Sequence, residues 1–189
     1  MKKNNFIKFA LLGSIPKGDE KRKNWVNWKS EYVNKISQAI PQAKFLHGDL
    51  ISDNAGPELV VGHDLWLIKN SDVVIVHAVS KIGAGTAQEM VLAKYFQKLL
   101  ISIIPKDTHH RRTNVVFNGV NIEDWIHPFL YVSSDYVAEN IEECIKWLKN
   151  FLKDPEQTKI KTISVFNDKI FLFEEKLAGI IRSYRAEGW

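Results

Sequence analysis

Short apolar runs alternate along the chain with longer stretches in which apolar positions recur every three or four residues. The first run, residues 6–12, is closed by Gly13 and Ser14 and predicts a buried strand ending in a tight turn. Between residues 20 and 40, Trp25, Trp28, Tyr32, Val33, Ile36 and Ile40 recur at helical spacing, so one face of a helix packs on a sheet and both tryptophans serve as core. Residues 44–46 give a second strand and residues 47–56 a polar loop. Pro57 suits the first turn of a helix, where its missing N–H has no partner to lose, and Val61, Leu65 and Ile68 supply the buried stripe.

After Asp72 come a strand over 73–79, a helix over 86–97 and a strand over 99–104 that stops at Pro105. Residues 129–132 predict a fifth strand and residues 136–152 a covering helix. The two strands of continuous apolar residues, without alternation, indicate a sheet buried on both faces, hence parallel strands joined by helices. The fold class is therefore α/β, a mostly parallel sheet of about five strands flanked by helices. Ligands of such sheets bind beyond the carboxyl ends of the strands, where three loops meet here: 13–18, 80–86 and 105–119. Beyond residue 154, residues 163–166 read as extended, and Ile170, Phe173, Leu177, Ile180, Ile181 and Tyr184 trace one face of a last helix that packs on the domain or on a partner. The division is a domain over 1–153 and an extension over 154–189.

Composition narrows the class. With 189 residues, 45% hydrophobic and 25% charged, the chain has the balance of one globular domain with a full core. A net charge of +4 is too small to imply a nucleic-acid polymer as partner without a localised basic stripe. The basic groups that stand out are His109, His110, Arg111 and Arg112 together, and Lys17, Lys21, Arg22 and Lys23; each reads as a solvated loop or as a phosphate contact. One cysteine, Cys144, allows no internal disulfide and fits a reducing cytoplasm, and no Cys/His spacing calls for a metal or a cofactor. The amino-terminal apolar run is too brief for a signal peptide or a membrane span, so the expectation is a soluble cytoplasmic protein with no membrane partner.

Two acidic residues stand out as candidate chemistry. Gly83-Ala84-Gly85-Thr86-Ala87-Gln88-Glu89 leads from a strand into a helix, and it admits two readings. Thr86 and Glu89 have the spacing of a capping box, in which the carboxylate only satisfies a backbone N–H. Alternatively, the glycines let a ligand approach the backbone, and a carboxylate in the first helical turn stays ionised and able to attack. Asp64 sits at the edge of a buried stripe, where a side chain can reach into a cleft; taken singly, it reads as a surface aspartate. Cleavage of a glycosidic bond uses two such carboxyls, one as acid for the leaving group and one at the anomeric carbon. Gly13 and Ser14 offer N–H groups and a hydroxyl to a sugar or phosphate, or form an ordinary turn. Asp72 reads as structural.

Three segments in order resemble the nucleoside 2-deoxyribosyltransferases and related nucleotide N-glycosidases: Asp64-Leu65-Trp66-Leu67-Ile68-Lys69-Asn70-Ser71-Asp72, Gly85-Thr86-Ala87-Gln88-Glu89 with Ala93 beyond, and Asn114-Val115-Val116-Phe117-Asn118-Gly119-Val120. The resemblance covers roughly residues 6–150. It implies a flavodoxin- or Rossmann-like fold and cleavage or transfer of the N-glycosidic bond of a 2′-deoxynucleoside or nucleotide, with no cofactor. In that resemblance Glu89 is the nucleophile that forms a covalent deoxyribosyl intermediate. Asp64 contacts the base and assists its protonation, while Gly13, Ser14, Gly85 and Thr86 bind substrate. Asn114 reaches into a neighbouring subunit's site, which makes the active protein a homo-oligomer.

Two departures shape the expectation. Where many transferases carry a tyrosine near the end of the first strand, this chain has Ala10, Leu11 and Leu12, so Glu89 must be oriented by other groups. Six residues before Glu89, where an acid reads a free 5′-hydroxyl and a serine a nucleotide, stands Gly83. Asn114 leans toward nucleosides, whereas Lys17, Arg22 and residues 109–112 leave a 5′-phosphate open. A non-catalytic nucleotide sensor and a ribonucleotide N-glycosidase on the same fold are the alternatives.

Overall fold

A computed structural model describes residues 6–46 and 54–177. Its centre is a sheet of five parallel strands: β1 (Ile7–Gly13), β2 (Ala43–Phe45), β3 (Val73–His77), β4 (Leu99–Ile103) and, after a hairpin of β5 (Arg111–Phe117) and β6 (Val120–Ile126), β7 (Tyr136–Ala138). The spatial order is β2-β1-β3-β4-β7. Taken in chain order the five sheet strands run 2-1-3-4-5, the doubly wound, flavodoxin-like arrangement, in which strand order reverses between β1 and β3.

Alternate residues of each strand feed two cores. Phe9, Val73, Ile75, Leu99 and Ile101 point to one face and pack with Tyr32 and Ile36 of α2 (Trp28–Ala39) and Cys144 and Leu148 of α6 (Ile141–Lys153). Ala10, Leu12, Val74, Val76 and Leu100 point to the other face. There they meet Ile68 of α3 (Pro57–Asn70), Met90 and Ala93 of α4 (Ala84–Tyr95), and Leu130 of α5 (Pro128–Ser133). Two-sided burial is why the central strands read as unbroken apolar runs. A short α1 (Asp19–Arg22) precedes α2, and α7 (Val165–Lys176) follows a 3-10 turn at Pro155–Gln157.

Several expectations shift. The run at 129–132 is not a strand but lies in α5, because Pro128 sits in the helix's first turn and the hydroxyls of Ser133 and Ser134 donate to the carbonyls of Phe129 (2.6 Å) and Leu130 (2.7 Å). The fifth sheet strand is the adjoining three-residue β7, and the covering helix starts at Ile141, where the Asn140 side chain accepts from Glu143 N–H at 2.9 Å. The stretch 105–119 is no simple loop, since it supplies β5 and the Asn118-Gly119 turn of an antiparallel hairpin. Both turn residues have positive φ, 51° and 81°, as a tight hairpin turn of this kind requires. Residues 163–166 lead by a turn into α7 rather than running extended.

α7 keeps no buried residue, with Phe171 and Phe173 more than half exposed; Ile180, Ile181 and Tyr184 lie outside the described residues. At the amino end of the sheet, Asp72 accepts from Lys8 N–H and donates its own N–H to Lys8 carbonyl, both at 2.8 Å, which is the structural role expected of it. Among the described residues no helix is long and apolar enough to cross a membrane.

Candidate active site

The strand-order reversal leaves a crevice above the carboxyl ends of β1 and β3, where a cavity of 340 Å³ opens. Three places supply most of its walls, and Lys29 of α2 adds to them. The end of β1 and the following loop give Leu12, Gly13, Ser14 and Lys17; α3 gives Val60, His63, Asp64 and Leu67; the start of α4 gives Gly83, Gly85, Thr86 and Glu89. The size falls at the lower end of the roughly 300–1,000 Å³ usual for small-molecule sites, enough for one compact ligand.

Spacing on α3 explains its contribution. Val60, His63, Asp64 and Leu67 follow i, i+3, i+4, i+7, so all four share one face, and that face looks into the cleft. The stripe expected at Val61, Leu65 and Ile68 is displaced: Val61 is 56% exposed, and Leu67 with Ile68 forms the buried edge.

α4 also begins earlier than expected. Gly83 is its N-cap without any side-chain cap, Ala84 starts the helix, and Thr86 is buried inside the first turn. Thr86 and Glu89 therefore form no capping box, and Glu89 stands in the second turn, beyond the strongest part of the helix-terminus field. Its carboxyl is not held ionised. Burial, followed by the charge and hydrogen bonding of Asp64, raises it from 4.5 to about 7, while Lys29 and Lys17 pull the other way. The two acidic side chains thus face one another across the cavity. Asp64 in turn lies 3.1 Å, through Oδ1, from Nδ1 of His63.

Gly13 and Ser14 take distinct places. A Cβ on Gly13 would stand 2.8 Å from the Trp28 ring and 3.0 Å from His77 Cβ, so glycine is what lets β1 end against them. Trp28 stacks on His77 with ring centroids 4.4 Å apart, and Tyr32 Oη pairs with His77 Nδ1 at 2.8 Å. Burial pushes the His77 imidazole down to about 4. Ser14 Oγ donates to the Lys81 carbonyl at 2.9 Å, tying the first loop to the third wall of the cavity.

The adjoining Ile82 N–H donates to His110 Nε2 at 3.1 Å, which fixes the His110 proton on Nδ1 and joins the cavity wall to the hairpin's base. Beyond that wall lies a larger cavity of 500 Å³ lined by Ile82, Val91, His110, His127, Phe129 and Leu130 among others. It contains no carboxyl group, so volume alone does not mark the chemistry.

The remaining candidates sit elsewhere. Asn114 lies exposed on β5 with φ 50°, outside the cavity of its own chain. Within the basic group at 109–112, Arg111 grips Asp124 through Nε at 2.8 Å and through a second nitrogen at 2.6 Å, and His110 is buried. Arg22 donates to the Pro16 carbonyl at 2.9 Å, whereas Lys17 lines the cavity. His63 and Lys29 are the site residues that the sequence reading missed. The signal for His63 was its place between Val60 and Leu67 on the face of Asp64. Lys29, at the start of α2, had no comparable mark. Among the described residues no three His, Cys, Asp or Glu side chains are grouped to hold a metal ion.

No family model and no curated protein matches the sequence. Among solved structures, the chain is similar to a CMP N-glycosidase of Clostridium botulinum, BcmB, at 14% identity and a TM-score of 0.42, over 76% of this chain and 98% of that one.

Proposed function

We propose that the chain cleaves or transfers the N-glycosidic bond of a 2′-deoxynucleoside or nucleotide, with Glu89 and Asp64 as the two working carboxyls. The observation that carries this reading is the pair itself: two acids from different helices meet in a ligand-sized crevice at the strand-order reversal, where burial first and the neighbouring Asp64 second lift Glu89 to about 7. The deoxyribose and base come from the motif resemblance of 64–72, 85–89 and 114–120.

The pair shares one proton, and attack by Glu89 requires that this proton pass to Asp64, which leaves Glu89 ionised with Lys29 and Lys17 nearby. A Glu89 oxygen bonds to the anomeric carbon as the carbon–nitrogen bond breaks. Its electron pair leaves on the base, and the proton from Asp64 neutralises the departing nitrogen. Water or a second base then attacks the same carbon, releases Glu89, and returns a proton to the pair. Gly83 and Gly85, with nothing within 4 Å of a hypothetical Cβ, leave the backbone open to the sugar.

The test offers deoxyadenosine, deoxyinosine, thymidine, deoxycytidine and their 5′-monophosphates, with ribose counterparts, alone and with a second free base, and follows base release or exchange. Release that disappears in Glu89→Ala is the expected result. No release from any of them, or full activity in Glu89→Ala, removes the reading.

The raised carboxyl of Glu89 favours a second assignment, in which Glu89 gives up the proton and Asp64 attacks. Intact-protein and peptide mass spectrometry of a trapped 2-fluoro-sugar adduct separates the two: the sugar is carried on Glu89 in the first case and on Asp64 in the second.

A further inference from the structure

His63 has a combination of properties that packing alone does not require. Its side chain is 8% exposed, it lines the cavity, and its Nδ1 lies 3.1 Å from Asp64 Oδ1. Its Nε2 is buried and has no hydrogen-bond partner among the described residues. A neutral imidazole carries one proton, on one of these two nitrogens. Placing it on Nε2 would strand a buried N–H donor, which is rarer and costlier than a buried lone pair left unused. Placing it on Nδ1 uses it at once, on the ring's one partner among the described residues, Asp64 Oδ1.

We propose that His63 is a positioning residue for Asp64: its Nδ1–H donates to Oδ1, fixes the carboxyl's rotamer, and leaves Oδ2 as the oxygen that exchanges a proton or electron pair with the ligand. An Oδ1 that accepts from His63 is a poor place for the mobile proton, so the ring decides which oxygen does the chemistry. The groups around the pair are Asp64 and His63 itself on α3, Glu89 on α4, Lys29 on α2 and Lys17 in the loop after β1. Of these, the His63 ring meets Asp64 Oδ1 at 3.1 Å. The arrangement resembles the way a buried acceptor fixes an imidazole's tautomer in other acid–base sites, with the roles reversed.

This inference rests on the reading of Asp64 and Glu89 as the working pair, and two measurements keep the failures apart. The first needs no activity. Long-range nitrogen–proton correlation spectra of the parent, in alkaline buffer, report the tautomer of His63; protonated Nδ1 is expected, and protonated Nε2 overturns the proposal even if the enzyme is active. The second compares three variants in the base-release assay. Asparagine places an amide N–H near the Nδ1 position, and glutamine places one near Nε2. His63→Ala is expected to lose about tenfold to a hundredfold in kcat, with KM within about twofold, the usual effect of removing the partner that orients a site residue. His63→Asn is expected to recover most of that loss, and His63→Gln little of it. Recovery by glutamine and not asparagine, or a loss confined to KM, overturns the assignment. If the parent releases no base while His63 holds its proton on Nδ1, the functional reading fails and the contact to Asp64 stands.

Discussion

A carboxyl raised to about 7 inside a cleft lowers stability once the surroundings are alkaline enough to ionise it. The folded protein keeps a proton on Glu89 between 4.5 and about 7 that the unfolded chain has already released, so stability falls as pH rises across that interval. Glu89→Gln removes the liability. It is expected to stabilise the fold by about 1–3 kcal/mol above pH 7 and to change little below the ordinary carboxyl range, as read from denaturant titrations at the two extremes. The rate has the opposite requirement. The pair needs one proton for the departing base, and above about 7 Glu89 has given its own up, so kcat/KM is expected to be highest below that value and to fall by about tenfold per pH unit above it. A rate that climbs through the same range would show that the pair works fully ionised and that the base takes its proton from elsewhere.

At the scale of elements, the site depends on where strands stop and helices begin. β1 ends at Gly13 because the Trp28 ring, stacked on His77, already fills the space a side chain would take. Gly13→Ala forces that stack and the His77 backbone apart and is expected to cost about 1–3 kcal/mol, read as a lowered Tm at unchanged secondary structure. The strand–helix alternation was legible in the sequence because buried parallel strands leave unbroken apolar runs, and Glu89 and Asp64, singled out there, both line the cavity. Helix phase was less so. On α3 the cleft face carries His63 and Asp64, so polar residues occupy positions that a hydrophobic stripe should hold, and the pattern pointed to Val61 instead. The start of α4 was hidden because Gly83 caps through its backbone alone, whereas Thr86 looked like a cap and is buried. Two local signals outweighed the apolar pattern: Asn118-Gly119 turns the hairpin, and Pro128 converts a β-like run into α5.

At the scale of the whole molecule, the end of the sheet opposite the cavity is closed by a buried charge pair whose two partners nothing in the residue pattern matches to one another. Lys94 on α4 and Asp135 before β7 are 0% and 1% exposed, and they contact each other directly. Asp135 also accepts Leu100 N–H and Lys161 N–H, both at 2.7 Å, so neither oxygen is idle. Removing one partner leaves an uncompensated charge in the interior; Asp135→Ala is therefore expected to destabilise by about 3–5 kcal/mol in chemical denaturation. Because α4 carries both Lys94 and Glu89, a stable seat for that lysine also fixes the height of the acid over the cleft.

The contribution of Lys161 extends this closure into the carboxyl-terminal segment. Its carbonyl accepts from Lys94 at 3.3 Å, and its ammonium group donates to the Ser134 carbonyl at 2.5 Å. The segment therefore behaves as a stopper pressed over an ion pair, even though the helix that follows has no fully buried residue among those described. A protease that nicks the chain just ahead of Lys161 would let water reach Lys94 and Asp135, and the damage would register as a drop in melting temperature. A cut placed after α7 begins would leave the stopper seated and the melting temperature close to that of the intact chain.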